Sequence, residues 1–148
     1  MTLLKINDYT FHVDIDKTKE YYAFKPIGVT NNMMVYFPID TKVNIRSLTS
    51  KSKATDIFKN FSNLDEIEIK SDESRFEVYN KISKKGNLEE WSRLLKTLLK
   101  RKIKENKKPF NMQEQKLINT LTNYVSSELS QVLAIPKSEV EEKLLNYF

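Results

Sequence analysis

Cysteine is absent from this chain of 148 residues, so no disulfide can form and no thiol can act as a nucleophile or a zinc ligand. The lack of cysteine also makes the cytoplasm the expected location. Only two glycines are present, Gly28 and Gly86, which are too few for a glycine-rich loop that binds dinucleotides or nucleoside triphosphates. The single histidine, His12, cannot form a zinc site of histidine and cysteine ligands, because the chain has no other residue of either type. These absences predict a protein that is not an enzyme and that binds no metal and no cofactor.

Long apolar runs are missing as well. No stretch approaches the roughly 18 apolar residues of a membrane span. Asn7, Asp8 and His12 interrupt residues 1–15, so this segment lacks the charged start and apolar run of a secretory signal. We therefore expect no membrane partner.

The first third of the chain has the pattern of short β-strands. Apolar and β-branched residues alternate over short runs that turn residues separate. Two of these runs flank a loop around Gly28, which predicts a hairpin. Pro26 and Pro38 have no amide hydrogen, so we expect them at strand ends or on an edge. The predicted strand regions are residues 4–13, 20–27, 33–39 and 43–48.

From Ser50 onward, apolar residues recur every third or fourth position, which predicts helices. The pattern predicts an α+β protein with an antiparallel β module at residues 1–49 and a bundle of four to five helices at residues 50–148. The first expected helix begins near Ser50 or Ser52. The second runs from about Ser74 to Lys84, with Phe76, Val78, Tyr79 and Ile82 on one face. The third runs from Asn87 towards Pro109, the fourth from Asn111 to about Ala134, and the last has Pro136 in its first turn.

Two of these helix starts carry the same signal. Asn87 is followed three residues later by Glu90, and Asn111 by Glu114, the spacing of a capping box. Gly86 lies where a glycine commonly ends the preceding helix.

Trp91 is the only tryptophan, and it shares a helical stripe with Leu88, Leu95 and Leu98. This spacing favours a core residue over a wedge between base pairs.

The excess of positive charge lies in one segment. The chain has a formal net charge of +5, and residues 86–108 alone hold eight basic and three acidic side chains. Glutamates at four-residue spacing mostly do not balance these charges, which favours nucleic-acid binding over a solubilising face. Lysines outnumber arginines 21 to 4. Lysine suits phosphate better than base edges, so we expect salt-sensitive binding to double-stranded DNA without sequence preference.

Two other patterns predict no site. Asp14, Asp16 and Thr18 imitate the start of a calcium loop, but Lys19 and Lys25 stand where such a loop needs glycine and a carboxylate. The acidic residues between positions 65 and 77 indicate a solvated linker rather than a catalytic carboxylate pair.

The order of these segments resembles the CarD family of bacterial transcription regulators. The sequence Glu-Tyr-Tyr-Ala-Phe-Lys at residues 20–25 is similar to a strand that the family writes with paired aromatics. The sequence Met-Val-Tyr-Phe-Pro at residues 34–38 is similar to the family's next strand, which ends in Val-Pro or Ile-Pro. Residues 80–87 resemble its Leu-Glu-Lys-hydrophobic-x-Ser-Gly-Asp segment. Further similarity lies at residues 44–46, 112–118, 126–129 and 141–145, so the resemblance covers about residues 20–148.

The resemblance implies a Tudor-like module that docks on the β subunit of RNA polymerase and a helical domain that touches promoter DNA. By position, the polymerase-binding residues would be Phe24, Met34, Tyr36 and Arg46. The DNA-binding residues would be Arg75, Lys81, Lys84 and Lys85. The charge pattern adds Arg93, Lys96, Lys100, Arg101 and Lys104 to the DNA surface.

The chain departs from the family pattern in two places. The glycine-rich opening of the β module is missing, and the family's minor-groove tryptophan falls near Asp72 or Glu73. Two hypotheses therefore stay open. The first is a CarD-type regulator that binds polymerase and contacts DNA. The second is a protein-interaction module of the same fold that has lost DNA binding and acts as a tether or competitor. Neither hypothesis predicts an oligomeric state.

Overall fold

The computed structural model describes residues 3–5, 10–11, 20–26, 32–40, 45–104 and 111–147. The strands are β1 (Leu3–Lys5), β2 (Thr10–Phe11), β3 (Tyr21–Phe24), β4 (Val35–Pro38) and β5 (Ile45–Ser47). The helices are α1 (Lys51–Lys59), α2 (Arg75–Lys85), α3 (Leu88–Lys104), α4 (Met112–Leu133) and α5 (Lys137–Leu145), with a short 3₁₀ helix (Phe61–Asn63) after α1. The α+β class predicted from the sequence is confirmed. The chain divides into two compact units, Met1–Leu48 and Thr49–Phe148.

In the first unit, β2, β3 and β4 form an antiparallel sheet in that order. Tyr21 lies opposite Pro38 and Phe24 opposite Val35, so the predicted hairpin is confirmed. Within the described residues β4 pairs only with β3, which makes it an edge strand. Pro38 is tolerated there because an edge position requires no ladder hydrogen bond from its nitrogen.

The pairing of β1 with β5 was not expected, because these two strands run parallel, with Leu3 opposite Ile45. Parallel neighbours require a long crossover, and here β2, β3 and β4 lie between them in the chain. The alternation of apolar and polar residues does not indicate whether two strands pair parallel or antiparallel. The sequence therefore predicted only antiparallel pairing. Ile6, Val13 and Val43 belong to predicted strand regions but lie outside the described residues.

The second unit is built around one apolar core. Ser50 caps α1 by accepting a hydrogen bond from the Lys53 amide at 3.3 Å, as its place in the sequence predicts. The core side chains come from all five helices and the 3₁₀ helix, and they are Ala54, Ile57, Phe58, Phe61, Tyr79, Leu88, Trp91, Leu94, Leu95, Leu98, Leu99, Ile118, Leu121, Val125, Leu129, Val140 and Leu144.

The junction between α2 and α3 is closely packed. The Asn87 side chain accepts from the Glu90 amide at 3.0 Å while the Glu90 carboxylate accepts from the Asn87 amide at 3.1 Å, so the predicted capping box is confirmed. Trp91 is 1% exposed, as expected of a core residue. Its indole nitrogen donates to the carbonyl oxygen of Ile82 at 3.0 Å.

Gly86 ends α2 as predicted, but for a different reason. Its φ is −70°, so the backbone does not adopt the left-handed conformation that usually selects glycine. A Cβ at this position would lie 2.4 Å from the Ile82 carbonyl oxygen and 2.9 Å from the Trp91 ring. The close approach of Ile82 and Trp91 to this position therefore requires a residue without a side chain.

Three expectations for the helices need correction. Asn111 caps α4 by accepting from the Gln113 amide at 2.9 Å, whereas Glu114 turns inward to two arginines instead of closing a second capping box. Phe76 was expected on the apolar face of α2 but is 51% exposed. Pro136 is the N-cap of α5 rather than a residue of its first turn.

Two properties of the described residues bear on function. None of the helices there has the length and apolar composition to cross a membrane. The same residues contain no group of three or more His, Cys, Asp or Glu side chains placed to hold a metal ion.

Candidate nucleic-acid interface

The basic side chains on one side of α3 bind the segment that follows the 3₁₀ helix. Arg93 donates through Nε to the Asp65 carbonyl oxygen at 3.1 Å and through Nη2 to that of Glu66 at 3.3 Å. The ammonium of Lys96 donates to the carbonyl oxygen of Leu64, and Lys96 is only 8% exposed. Arg93 and Lys96 were expected on the DNA surface, but they instead hold an irregular segment whose carbonyl groups need donors.

Thr97 fixes the same segment from the next position of α3. Its hydroxyl donates to the Arg93 carbonyl oxygen at 2.7 Å and accepts from the Ile67 amide at 2.9 Å. The side chains of Leu64, Ile67 and Ile69 pack against the core, so the segment is bound by both apolar and polar contacts.

Replacing Thr97 with Val tests this attachment. Valine keeps the shape of threonine but cannot accept from the partly buried Ile67 amide, so we expect a loss of about 1 to 2 kcal/mol in the free energy of unfolding. Thr55→Val is the matched control, because the Thr55 hydroxyl donates to the carbonyl oxygen four residues before it and receives no long-range bond from the residues that the structure describes. Urea unfolding measures both variants, and equal losses would contradict a role for the Ile67 contact.

Lys100 forms an ion pair with Glu66. The ammonium of Lys100 lowers the pKa of the Glu66 carboxyl by hydrogen bonding and by charge, and the charges of Lys104 and Lys96 act in the same direction. Both side chains of the pair remain 40% exposed. The pair therefore neutralises charge on α3 without removing it from solvent.

On another side of α3, two arginines share one buried carboxylate. Oε1 of Glu114 lies 3.3 Å from Nη1 of Arg101 and 3.5 Å from Nε of Arg75, and Glu114 is 7% exposed. Tyr79 lies beside this cluster, where burial raises the pKa of its phenol and the charge of Arg101 opposes the rise. Arg75 and Arg101, both expected on the DNA surface, thus bridge α2, α3 and α4.

A groove of about 560 Å³ opens beside this cluster, between α2 and the first half of α4. Polar and apolar groups both line it, with the exposed ring of Phe76 on one wall and Lys116 on the other. The sequence pattern missed this groove because it assigned Phe76 to the core.

Arg75 is exposed but is paired with Glu114. Four more of the nine basic residues expected to face DNA are exposed. They are Lys81, Lys84 and Lys85 on the last turns of α2, and Lys104 at the end of α3. Within the described stretches of the helical unit, these four side chains form no ion pair. Because positions 81, 84 and 85 have the spacing of one helix face, their three ammonium groups project together.

The residues expected to bind polymerase lie on the strands of the first unit. Phe24, on β3, is 2% exposed and packs edge-on against Phe37, with ring centroids 6.1 Å apart. Tyr36, on β4, is 39% exposed and Met34, just before it, is 38% exposed. Arg46, on β5, is half-buried, and its Nη1 donates to the Ser47 carbonyl oxygen at 3.1 Å. Of these four residues, Met34 and Tyr36 present exposed apolar surface, whereas Phe24 is buried against the sheet.

Comparison with known proteins identifies the family. The family model described as the CarD C-terminal domain matches residues 56–145, more than half of the chain, from α1 to the end of α5. A search of curated proteins finds no significant match. The matched region includes every basic residue of α2 and α3 described above. The chain therefore belongs to the CarD family of transcription factors, which are not enzymes.

Proposed function

We propose that this protein regulates transcription by binding RNA polymerase through β4 and contacting double-stranded DNA through Lys81, Lys84 and Lys85. The observation that carries the DNA contact is the exposure of these three lysines on one face of α2. Most of the other basic residues of the expected DNA surface bind groups of the protein itself. The DNA contact is thus narrower than the charge pattern of the sequence suggests.

The chemistry of this surface favours phosphate contacts. Lysine ammonium groups act as flexible point charges, and phosphate contacts carry no direct sequence information. Each lysine that neutralises a phosphate releases a counterion, so affinity falls steeply with salt. Binding is therefore expected to be similar for unrelated duplexes and weak at high salt.

The polymerase contact rests on the exposed apolar surface of β4. Met34 immediately precedes β4 and Tyr36 lies on it, and both side chains are exposed. Exposed aromatic and methionine side chains are enriched at the centres of protein interfaces. With the family membership, this surface favours docking on the β subunit of RNA polymerase.

Changing Tyr36 to Ala tests the polymerase contact by co-elution with bacterial core RNA polymerase. Because a central aromatic can contribute 2 kcal/mol or more to binding, we expect at least roughly a 30-fold loss of affinity. Lys25→Ala is the control, since Lys25 is an exposed residue of the same unit and lies next to β3 rather than on β4. Co-elution of a folded Tyr36→Ala protein at the wild-type level would contradict docking through β4.

The second candidate function is a protein-interaction module without DNA binding. It is favoured by the ion pairs that neutralise α3 and α4, and by the acidic residues Asp72 and Glu73 just before α2. Retention on heparin against a salt gradient separates the two functions. Late elution supports the DNA-binding regulator, whereas elution at low salt supports the interaction module.

A further inference from the structure

A row of lysines runs along α3. Lys96, Lys100 and Lys104 are spaced by four residues and therefore share one face of the helix. With Ser62 and Tyr147 they line a shallow groove of about 370 Å³. Exposed ammonium groups on one helix face can form a binding surface for a polyanion.

The carboxylate of Glu66 already occupies this row. It forms an ion pair with Lys100, and the charges of Lys104 and Lys96 also act on it. A carboxylate oxygen paired with the Lys100 ammonium takes the place that a phosphate oxygen of DNA would take. Arg93 and Thr97 keep Glu66 in position, because they bind the backbone of residues 65–67.

We infer that the lysine row of α3 is a second binding face for the DNA phosphate backbone, and that Glu66 blocks it as an intramolecular competitor. This inference rests on the proposed DNA-binding function. It adds a second DNA site whose affinity is lowered by Glu66 of the same protein. Opening the face does not require the segment to leave α3, because Leu64, Ile67 and Ile69 still hold it against the core. Loss of the Glu66 charge is sufficient.

The three lysines contribute differently to this face. Lys96 is buried and its ammonium binds the Leu64 carbonyl oxygen, so Lys96 positions the segment and does not reach DNA. Lys100 is 40% exposed and is released when the Glu66 charge is removed. Lys104 is exposed at the end of the row. The unblocked face therefore offers two cations.

The test compares Glu66→Gln with Glu68→Gln in binding to a fluorescent DNA duplex at 50 mM salt. Both variants lose one negative charge, but Glu68 is exposed and, among the described residues, forms no ion pair. The Glu66→Gln protein is expected to bind roughly three- to tenfold more tightly than the Glu68→Gln protein, with a salt dependence steeper by about one unit in log–log slope. The double variant Glu66→Gln with Lys100→Gln is expected to lose the gain.

The outcomes separate this inference from the proposed function. Equal affinities of the two glutamine variants, with DNA binding by the wild type, would overturn the inference and leave the function standing. DNA binding by the Glu66→Gln protein alone, without binding by the wild type, would overturn the proposed function and support the blocked face. If no variant bound DNA, both would fall.

Discussion

Replacing Lys81, Lys84 and Lys85 together with Gln is expected to reduce the affinity for double-stranded DNA on the order of 100-fold at 0.1 M salt. The loss follows from counterion release, because three fewer phosphate contacts lower the slope of log affinity against log salt by about 2 to 3. Glutamine is a good helix former, so α2 should persist in the variant. Fluorescence anisotropy over a salt series measures both the affinity and the slope.

A charge-matched variant shows whether position matters or only net charge. Lys51, Lys59 and Lys70 are exposed lysines of the same unit, and their triple replacement by Gln removes the same three charges. This control is expected to change affinity only a few-fold through the long-range field. If both triple variants lost affinity equally, the DNA contact would not lie on the last turns of α2.

Changing Gly86 to Ala is expected to produce the largest loss of stability, about 3 kcal/mol in the free energy of unfolding. The added Cβ would meet the Ile82 carbonyl oxygen at 2.4 Å, and backbone at the end of a helix cannot move away without breaking the helix end. The same Cβ would press on the indole of Trp91, whose nitrogen donates to that carbonyl group. Overpacking typically costs about 1 to 3 kcal/mol, and a buried hydrogen bond about 1 kcal/mol more.

The fluorescence of the single tryptophan reports this change directly, because Trp91 is the group displaced. Urea unfolding followed by tryptophan emission is expected to show a lower midpoint and an altered native spectrum for Gly86→Ala. Lys85→Ala, the exposed neighbour, should unfold within about 0.5 kcal/mol of the wild type. A Gly86→Ala protein as stable as the wild type would show that the α2–α3 junction can accept a side chain.

The helical part of the fold was largely predictable because its signals are local. Apolar spacing identified the stripe that includes Trp91, and the Asn87–Glu90 pair identified the start of α3. The Asn111–Glu114 pair carries the same signal, yet only the asparagine caps its helix. The difference arises because Arg75 and Arg101, distant in sequence, draw the Glu114 carboxylate inward.

The candidate site was less predictable, because the partners of its charges are distant in sequence. Lys96 and Leu64 are 32 residues apart, and Lys100 and Glu66 are 34 apart. Counting charges by segment finds the basic excess on α3 but cannot find the carbonyl and carboxylate groups that occupy it. Parallel pairing of β1 with β5 was missed for a similar reason, since only the folded chain brings these strands together.

The lifetime of a promoter complex shows most directly whether this chain joins polymerase and DNA. Core RNA polymerase with its initiation factor is bound to labelled promoter DNA, and the complex is followed after addition of excess competitor DNA, with and without the protein. We expect a longer lifetime with the wild-type protein, and loss of the effect both with Tyr36→Ala and with the triple glutamine variant of Lys81, Lys84 and Lys85. A lifetime that the wild-type protein leaves unchanged, or an effect that both variants retain, would contradict the proposal that this chain joins polymerase and DNA.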